Sequence, residues 1–482
     1  MKTWKGIAIP VMLGAMMAPT SEGKVYVRWT QGVLPPTKIL GVRDLVIPWG
    51  KEAKGLLDRA NQQGYHVFLE ATLEEAAVAA EAGKTAGIVG IILKGKVSQG
   101  SQVEESAHKM RQAFPRLKIL VLDTAGRQPE MRGWLVFRKD GILQVSSPTS
   151  QPWLDANLAV IRHERAFQAG QTPLYTFSWG LSDAVVNEQG PSMANYSLAV
   201  AEAGAFHADL ILELHERQQK GLANGDPETL ANWNQVKRTL EFYEQGNQAA
   251  REAAARVAVL TNDYESSFEA INLMARHNIP FRVLHLVDVK AHDLEGFDVI
   301  IAFAAPGKEL ATAIDEFAEQ GGVAVLVNLP GAYPWDSSPP TKTSAHSVSY
   351  TVGKGRVIEL GEAVTDPETF ARDVRRLMAK ERIPVSLWNS LTTLVVAYSG
   401  EKPAETIVEL VNYEEEPTQV QVQVKGTFGS ATYESPERGC CDKLKTAQVD
   451  GFTEFVVPHV LIGARVHLEA TDTAMTETKP KR

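Results

Sequence analysis

The chain has 482 residues, with 58 acidic and 49 basic side chains and a formal net charge of −9. That length predicts two or three domains, and 44% hydrophobic with 22% charged residues excludes a largely disordered chain. The acidic excess argues against nucleic acid or an anionic membrane as the main partner, because both attract concentrated lysine and arginine. Two cysteines, Cys440 and Cys441, are too few for a disulfide framework or a four-ligand zinc site.

The N-terminal segment has the pattern of a secretory signal. Lys2 and Lys5 precede an apolar run from Gly6 to Ala18, and small polar residues follow it. The run is shorter than the roughly 20 apolar residues that span a bilayer. A buried N-terminal strand is the alternative interpretation. We expect residues 1–23 to be a signal peptide and the mature chain to be periplasmic or secreted, with no membrane contact after export.

Residues 24–245 alternate between short β-rich runs and amphipathic stretches that are typical of helices. Eight such alternations favour a (β/α)8 TIM barrel over an open doubly wound sheet. No glycine-rich phosphate fingerprint follows any of the runs, so no dinucleotide cofactor is expected. The predicted strands are Val25–Trp29, Asp44–Trp49, His66–Ala71, Ile88–Leu93, Lys118–Asp123, Ile142–Ser146, Pro173–Trp179 and Ala208–His215.

The predicted strand ends bring acids, aromatic residues and small polar groups to one rim, where barrel enzymes place their active sites. Indole rings stack on sugar rings, and two carboxyl groups can cleave a glycosidic bond. Glu213 lies in an apolar strand, which favours the protonated form that a general acid needs. The candidate catalytic residues are Glu213, Asp123, Glu70 and His215, and the candidate substrate-binding residues are Arg28, Trp49, Trp153, Asp155, Trp179 and Asp183.

Each candidate also has a structural interpretation. Glu213 could pair with Arg28 and only organise the rim, and a strand-end acid such as Glu70 or Asp123 often caps the next helix. His215 could be a hydrogen-bonded strand-end residue. No Gly-x-Ser-x-Gly elbow occurs, and no His-Glu-x-x-His or similar spacing predicts a metal.

Residues 256–380 predict an α/β unit whose continuous apolar strands indicate a parallel sheet covered on both faces. The order of its strands and helices resembles the glutamine-amidotransferase-like domain of family 42 β-galactosidases. The residues that carry this resemblance are the glycine-led segments Gly296–Ile301, Gly321–Leu326 and Gly353–Gly361. Residues 385–470 follow with short alternating strands that predict a small β-sandwich, and residues 471–482 predict a disordered tail.

The resemblance implies a glycosidase-type barrel, a middle domain that forms a homo-oligomer such as a trimer, and a small C-terminal β domain. It also implies a catalytic glutamate at the end of strand four, after an asparagine, and another at strand seven. Here Lys94 and Trp179 stand at those strand ends. The catalytic pair of the family is therefore not carried over to this chain.

The sequence as a whole predicts an exported glycoside hydrolase-like protein. Two carboxylates at the barrel rim would act on an oligosaccharide, with Glu213 as the acid and Asp123 or Glu70 as the nucleophile or base. The alternative is a catalytically inactive carbohydrate-binding or assembly protein that keeps the groove. A third hypothesis is a lyase or isomerase that uses His215 with an acid. No cofactor is expected.

Overall fold

The computed structural model describes residues 23–50, 53–95, 100–122, 137–139, 142–144, 157–167, 172–176, 191–245, 252–400, 405–414 and 416–470. The predicted signal segment up to residue 22 and the predicted tail from residue 471 lie outside these ranges. Within them, no helix is long and apolar enough to cross a membrane.

The first part of the chain is a parallel barrel, as predicted. Its seven strands follow the order β5-β4-β3-β2-β1-β9-β8, and the two edge strands of this sheet lie in contact, so the barrel is nearly closed. The barrel strands are β1 Val25–Arg28, β2 Asp44–Pro48, β3 His66–Thr72, β4 Gly90–Lys94, β5 Lys118–Leu122, β8 Leu174–Thr176 and β9 Asp209–Glu213. Two further strands, β6 Phe137–Lys139 and β7 Ile142–Gln144, form a separate sheet. The helices are α1 Thr37–Leu40, α2 Ala53–Gln62, α3 Ala76–Ala86, α4 Gly100–Ala113, α5 Leu158–Phe167, α6 Met193–Phe206, α7 Glu216–Asn224 and α8 Pro227–Gln245.

The prediction of a sixth barrel strand at Ile142–Ser146 is wrong. Of Ile142–Ser146, only β7 is a strand in the described residues, and it pairs antiparallel with β6 instead of joining the barrel. The two residues between these strands are Asp140 and Gly141, which is the strongest short-range signal of a hairpin. The apolar run alone could not reveal this, because a short run fits a barrel strand and a hairpin equally well.

The period of two along the barrel strands decides which side chains face the interior. One set of alternate residues, including Tyr26, Phe68 and Ile211, forms the core inside the barrel. The other set packs outward against the helices. Two residues beyond each of those three interior positions come Arg28, Glu70 and Glu213, which therefore share the interior face at the carboxyl ends of their strands.

The middle part is a seven-stranded sheet with the order β11-β10-β12-β13-β16-β15-β14. Five strands are parallel, as predicted, whereas β14 and β15 are antiparallel and form one edge. The strands are β10 Val257–Thr261, β11 Phe281–His285, β12 Val299–Ala302, β13 Val323–Val327, β14 Lys342–Thr343, β15 Ser347–Val352 and β16 Gly355–Leu360, and the helices are α9 Phe268–Arg276, α10 Lys308–Glu319 and α11 Pro367–Leu377.

The C-terminal part consists of two antiparallel sheets that share one apolar core. The predicted alternation in β20 is observed, since Val420 and Val422 are buried and Gln421 is exposed. The strand orders are β17-β20-β24-β23 and β18-β19-β25-β21-β22. The strands are β17 Val385–Leu387, β18 Thr393–Ser399, β19 Glu405–Asn412, β20 Thr418–Lys425, β21 Phe428–Ser435, β22 Gly439–Lys443, β23 Thr446–Val449, β24 Phe452–Val460 and β25 Gly463–Ala470.

Candidate functional site

Arg28 joins two of the predicted catalytic carboxylates at the rim of the barrel. Its Nε donates to Glu70 Oε2 at 2.7 Å, and its Nη2 donates to Glu70 Oε1 at 3.3 Å. Its Nη1 donates to Glu213 Oε1 at 2.7 Å. The parallel register of β1 and β9 sets Arg28 opposite Glu213, and β3 reaches the same rim through β2. The guanidinium therefore lies between the two acids.

Exposure differs sharply across this group. The side chain of Glu70 is 8% exposed and that of Arg28 is 21% exposed, whereas that of Glu213 is 45% exposed. Burial alone would lower the pKa of Arg28, but its hydrogen bonds to the two glutamates and their charges raise that pKa above its ordinary value. Glu70 and Arg28 thus form a sheltered ion pair, while the Glu213 carboxylate is accessible to a ligand.

Lys94 ends the predicted strand four, on the interior face of β4. Its Nζ lies 3.7 Å from Glu70 Oε1, and its side chain is 51% exposed. Two cations and two carboxylates therefore meet at this rim, and their formal charges cancel. Lys94 occupies the strand end at which the resemblance implies an acid, so the described residues offer no carboxylate there.

The carboxyl group of Glu213 does not lie in the apolar environment that the sequence predicts. Its neighbours Leu212 and Leu214 belong to the outer core between sheet and helices. The carboxyl group itself faces the interior, beside the Arg28 guanidinium. The ion pair with Arg28 fixes the position of this carboxyl group at the rim.

Two other predicted residues have structural roles. His215 does not extend the face of β9: it begins α7 as its N-cap, where Nδ1 accepts from the Arg217 backbone N–H at 3.3 Å. Its own backbone N–H donates to the Tyr196 hydroxyl at 2.9 Å. Trp49 packs against the core between sheet and helices, because it follows β2 at an outward-facing position.

The remaining candidates lie outside the described residues, and for them the predictions stand as made. They are Asp123, Trp153, Asp155, Trp179 and Asp183.

One buried acid of the barrel, Glu202, was not among the predicted site residues. Glu202 on α6 accepts from the backbone N–H of Asn157 at 2.9 Å and from its Nδ2 at 2.6 Å. Tyr413, which follows β19, donates its hydroxyl to the same carboxylate. The sequence offers a signal for it, since Glu202 is the one acid within α6.

The described His, Cys, Asp and Glu side chains come close enough to share a metal ion at one place, formed by Glu434, Cys440 and Cys441. These residues lie on β21 and β22 of the C-terminal part, and the two cysteines are exposed. The rim of the barrel contributes none of them. The described charged side chains at the rim are the carboxylates of Glu70 and Glu213 and the cations of Arg28 and Lys94.

No protein-family model matches the sequence, and no curated protein matches it. The structure is similar to α-L-fucosidase isoenzyme 2 from Paenibacillus thiaminolyticus, with a TM-score of 0.59 and 11% identity over 93% of this chain and 99% of that chain. It is also similar to a GH42 β-galactosidase from G. stearothermophilus, with a TM-score of 0.57 and 10% identity over 94% of this chain and 100% of that chain.

A third similar structure is the β-galactosidase from Rahnella sp. R3, with a TM-score of 0.52 and 10% identity over 88% of this chain and 95% of that chain. At such identities the likeness concerns the fold alone. The chain has the architecture of a GH42 β-galactosidase, from the barrel to the C-terminal β domain.

Proposed function

We propose that the protein is a glycoside hydrolase that acts on an oligosaccharide at the carboxyl end of its barrel. The observation that carries the proposal is the group Glu70–Arg28–Glu213 at the rim, within a fold shared with a fucosidase and β-galactosidases. Acids at such a rim are what glycosidic cleavage needs.

The roles within the group follow from exposure. The carboxyl group of Glu213 is the one that can contact a bound sugar, because nearly half of its side chain is exposed. Glu70 and Arg28 position it, since they form a sheltered pair that holds its carboxylate in place. The second acid of the reaction would come from another strand end, and Asp123 is the predicted residue for it.

The Glu213→Gln substitution tests this assignment. Loss of an acid–base or nucleophilic group typically lowers turnover by about 10²-fold or more, so kcat/KM should fall at least that far. The measurement is turnover of chromogenic glycosides and natural oligosaccharides, with Asp123→Asn assayed in parallel. Glu309→Gln, at an exposed position of α10, is the matched control and should keep full activity. Unchanged turnover in Glu213→Gln would remove this residue from the mechanism.

A second candidate function is that of a catalytically inactive carbohydrate-binding or assembly protein. The observation that favours it is the cationic environment of both glutamates, with Arg28 between them and Lys94 beside Glu70. A sugar that binds saturably by calorimetry, with no turnover of any glycoside in the panel, would favour this function over hydrolysis.

Export and assembly are part of the proposal. The basic start and apolar run of residues 1–23 support secretion to the periplasm or outside the cell. The resemblance of residues 256–380 to an amidotransferase-like domain supports a homo-oligomer formed through them. Mass spectrometry of the exported chain tests whether the N-terminal segment is removed. The molar mass of the protein in solution tests whether it forms a homo-oligomer.

A further inference from the structure

A cavity of about 390 Å³ lies where the three parts of the chain meet. Its walls come from α5 and α6 of the barrel, from β11 of the middle sheet, and from β18 of the C-terminal part. Its volume falls within the range of small-molecule sites, which is about 300–1,000 Å³. It is separate from the rim, since none of the rim residues described above lines it.

Three arginines converge on this cavity. Arg162 and Arg165 lie three residues apart on α5 and so share one face of the helix. Arg282 comes from the facing strand β11. The guanidinium of Arg162 lies 4.6 Å from the centroid of the Phe281 ring, and its Nη1 donates to the Phe281 carbonyl. The ring and the carbonyl hold this guanidinium in a fixed orientation.

The charge of Arg162 lacks a partner carboxylate among the described residues. Arg282 is already paired, at 2.5 Å from Glu252. Asp293, which also lines the cavity, accepts from the Lys290 backbone N–H at 2.9 Å. Burial lowers the pKa of Arg162 to about 10, and the charges of its two neighbouring arginines act in the same direction. The lining also carries the carboxylates of Glu252, Asp293 and Glu295, so its formal charges balance, but none of these carboxylates pairs with Arg162. A negative charge placed directly on the Arg162 guanidinium would offset the cost of its burial.

Three aromatic rings also line the cavity. The His207 and Tyr398 rings stack at 4.2 Å with an interplanar angle of 15°, and Phe281 adds a third ring. Stacked rings offer an apolar face to a small organic molecule, whereas planar guanidinium groups bind phosphate and carboxylate through paired hydrogen bonds.

We propose that this cavity binds a small organic anion of about monosaccharide size, with its phosphate or carboxylate group on Arg162 and its apolar face against the rings. The site is distinct from the barrel rim and does not depend on the function proposed for that rim. Because three parts of the chain supply its walls, a bound anion would also hold them together.

Calorimetry on the full chain tests the site, with glucose 6-phosphate, glucuronate and inorganic phosphate as probes and glucose as the uncharged control. At least one anion should bind saturably, and glucose should not. Arg162→Met should raise the Kd for that anion at least about tenfold, the effect of losing one charge-assisted hydrogen bond. Arg376→Met, at an exposed arginine paired with Asp373, is the matched control and should leave the Kd unchanged.

The probe that binds identifies the anionic group, and comparison with inorganic phosphate shows whether the sugar ring contributes. If Arg162→Met does not fold, Arg162→Lys takes its place: it keeps the charge, loses the planar fork of donors and should raise the same Kd. Absence of saturable binding for all three anions would overturn the proposal. So would an unchanged Kd in the folded arginine variant, or glucose binding as tightly as the anions.

Discussion

Arg28 forms ion pairs with both Glu70 and Glu213 through one guanidinium group. The period of two places Arg28, Glu70 and Glu213 on the interior face of their strands, which could be expected from the sequence. Their direct contact could not, because β1, β3 and β9 are far apart along the chain and their mutual register is a tertiary property. The pairing of Glu213 with Arg28 that the sequence analysis considered is observed.

At the scale of residues, we expect Arg28→Met to destabilise the fold strongly. Removing this guanidinium leaves Glu70, which is only 8% exposed, with the longer contact to Lys94 at 3.7 Å as its remaining ion pair. The free energy of unfolding should fall by about 3 kcal/mol, measured by urea denaturation. Glu213→Gln breaks the same network at its half-exposed end and should cost less than about 1 kcal/mol. Equal losses in the two variants would contradict the division into a sheltered pair and an accessible acid.

At the scale of elements, most boundaries could be predicted from apolar periodicity and turn residues. Strands β1, β2 and β5 begin at the predicted residues, which are Val25, Asp44 and Lys118. The hairpin of β6 and β7 was missed although Asp140 and Gly141 signalled it. The eight alternations favoured a barrel strand at Ile142–Ser146, whereas the turn residues before it indicate a hairpin.

Helix α6 offers a test of local stability. The Ser192 side chain accepts from the Asn195 backbone N–H at 3.2 Å, and Asn195 Oδ1 accepts from the Ser192 backbone N–H at 3.0 Å. Ser192→Ala should lower the free energy of unfolding by about 1 kcal/mol, whereas Ser192→Gly should cost only a few tenths. Thermal denaturation of both variants checks this. If glycine were as costly as alanine, the capping hydrogen bond would not be the cause.

At the scale of the whole molecule, the barrel and the middle part meet through an aromatic contact around a histidine. His163 on α5 is fully buried, with its ring centroid 4.3 Å from that of Phe167 and 4.9 Å from that of Tyr264. Burial lowers the pKa of His163 from 6.5 to about 4. The folded chain therefore keeps this ring neutral in a range where the unfolded chain takes up a proton.

The lowered pKa of His163 makes the folded state less stable in acid. Above pH 6.5 the ring is neutral in both states and adds no pH dependence. Between pH 6.5 and 4 the unfolded state binds the extra proton, so stability falls by about 3 kcal/mol on acidification. Urea denaturation at pH 7.5 and 4.5 measures the loss, which should shrink in His163→Gln. His346→Gln, at an exposed histidine, is the control and should behave as the wild type. An unchanged loss in His163→Gln would refute this origin.

Local patterns of apolar and turn residues act over a few positions, and they predict a parallel barrel followed by an α/β unit and a β domain. The position of Arg28 between Glu70 and Glu213 and the meeting of three arginines at one cavity follow from the register and packing of segments that are distant in the chain. No local pattern encodes such contacts.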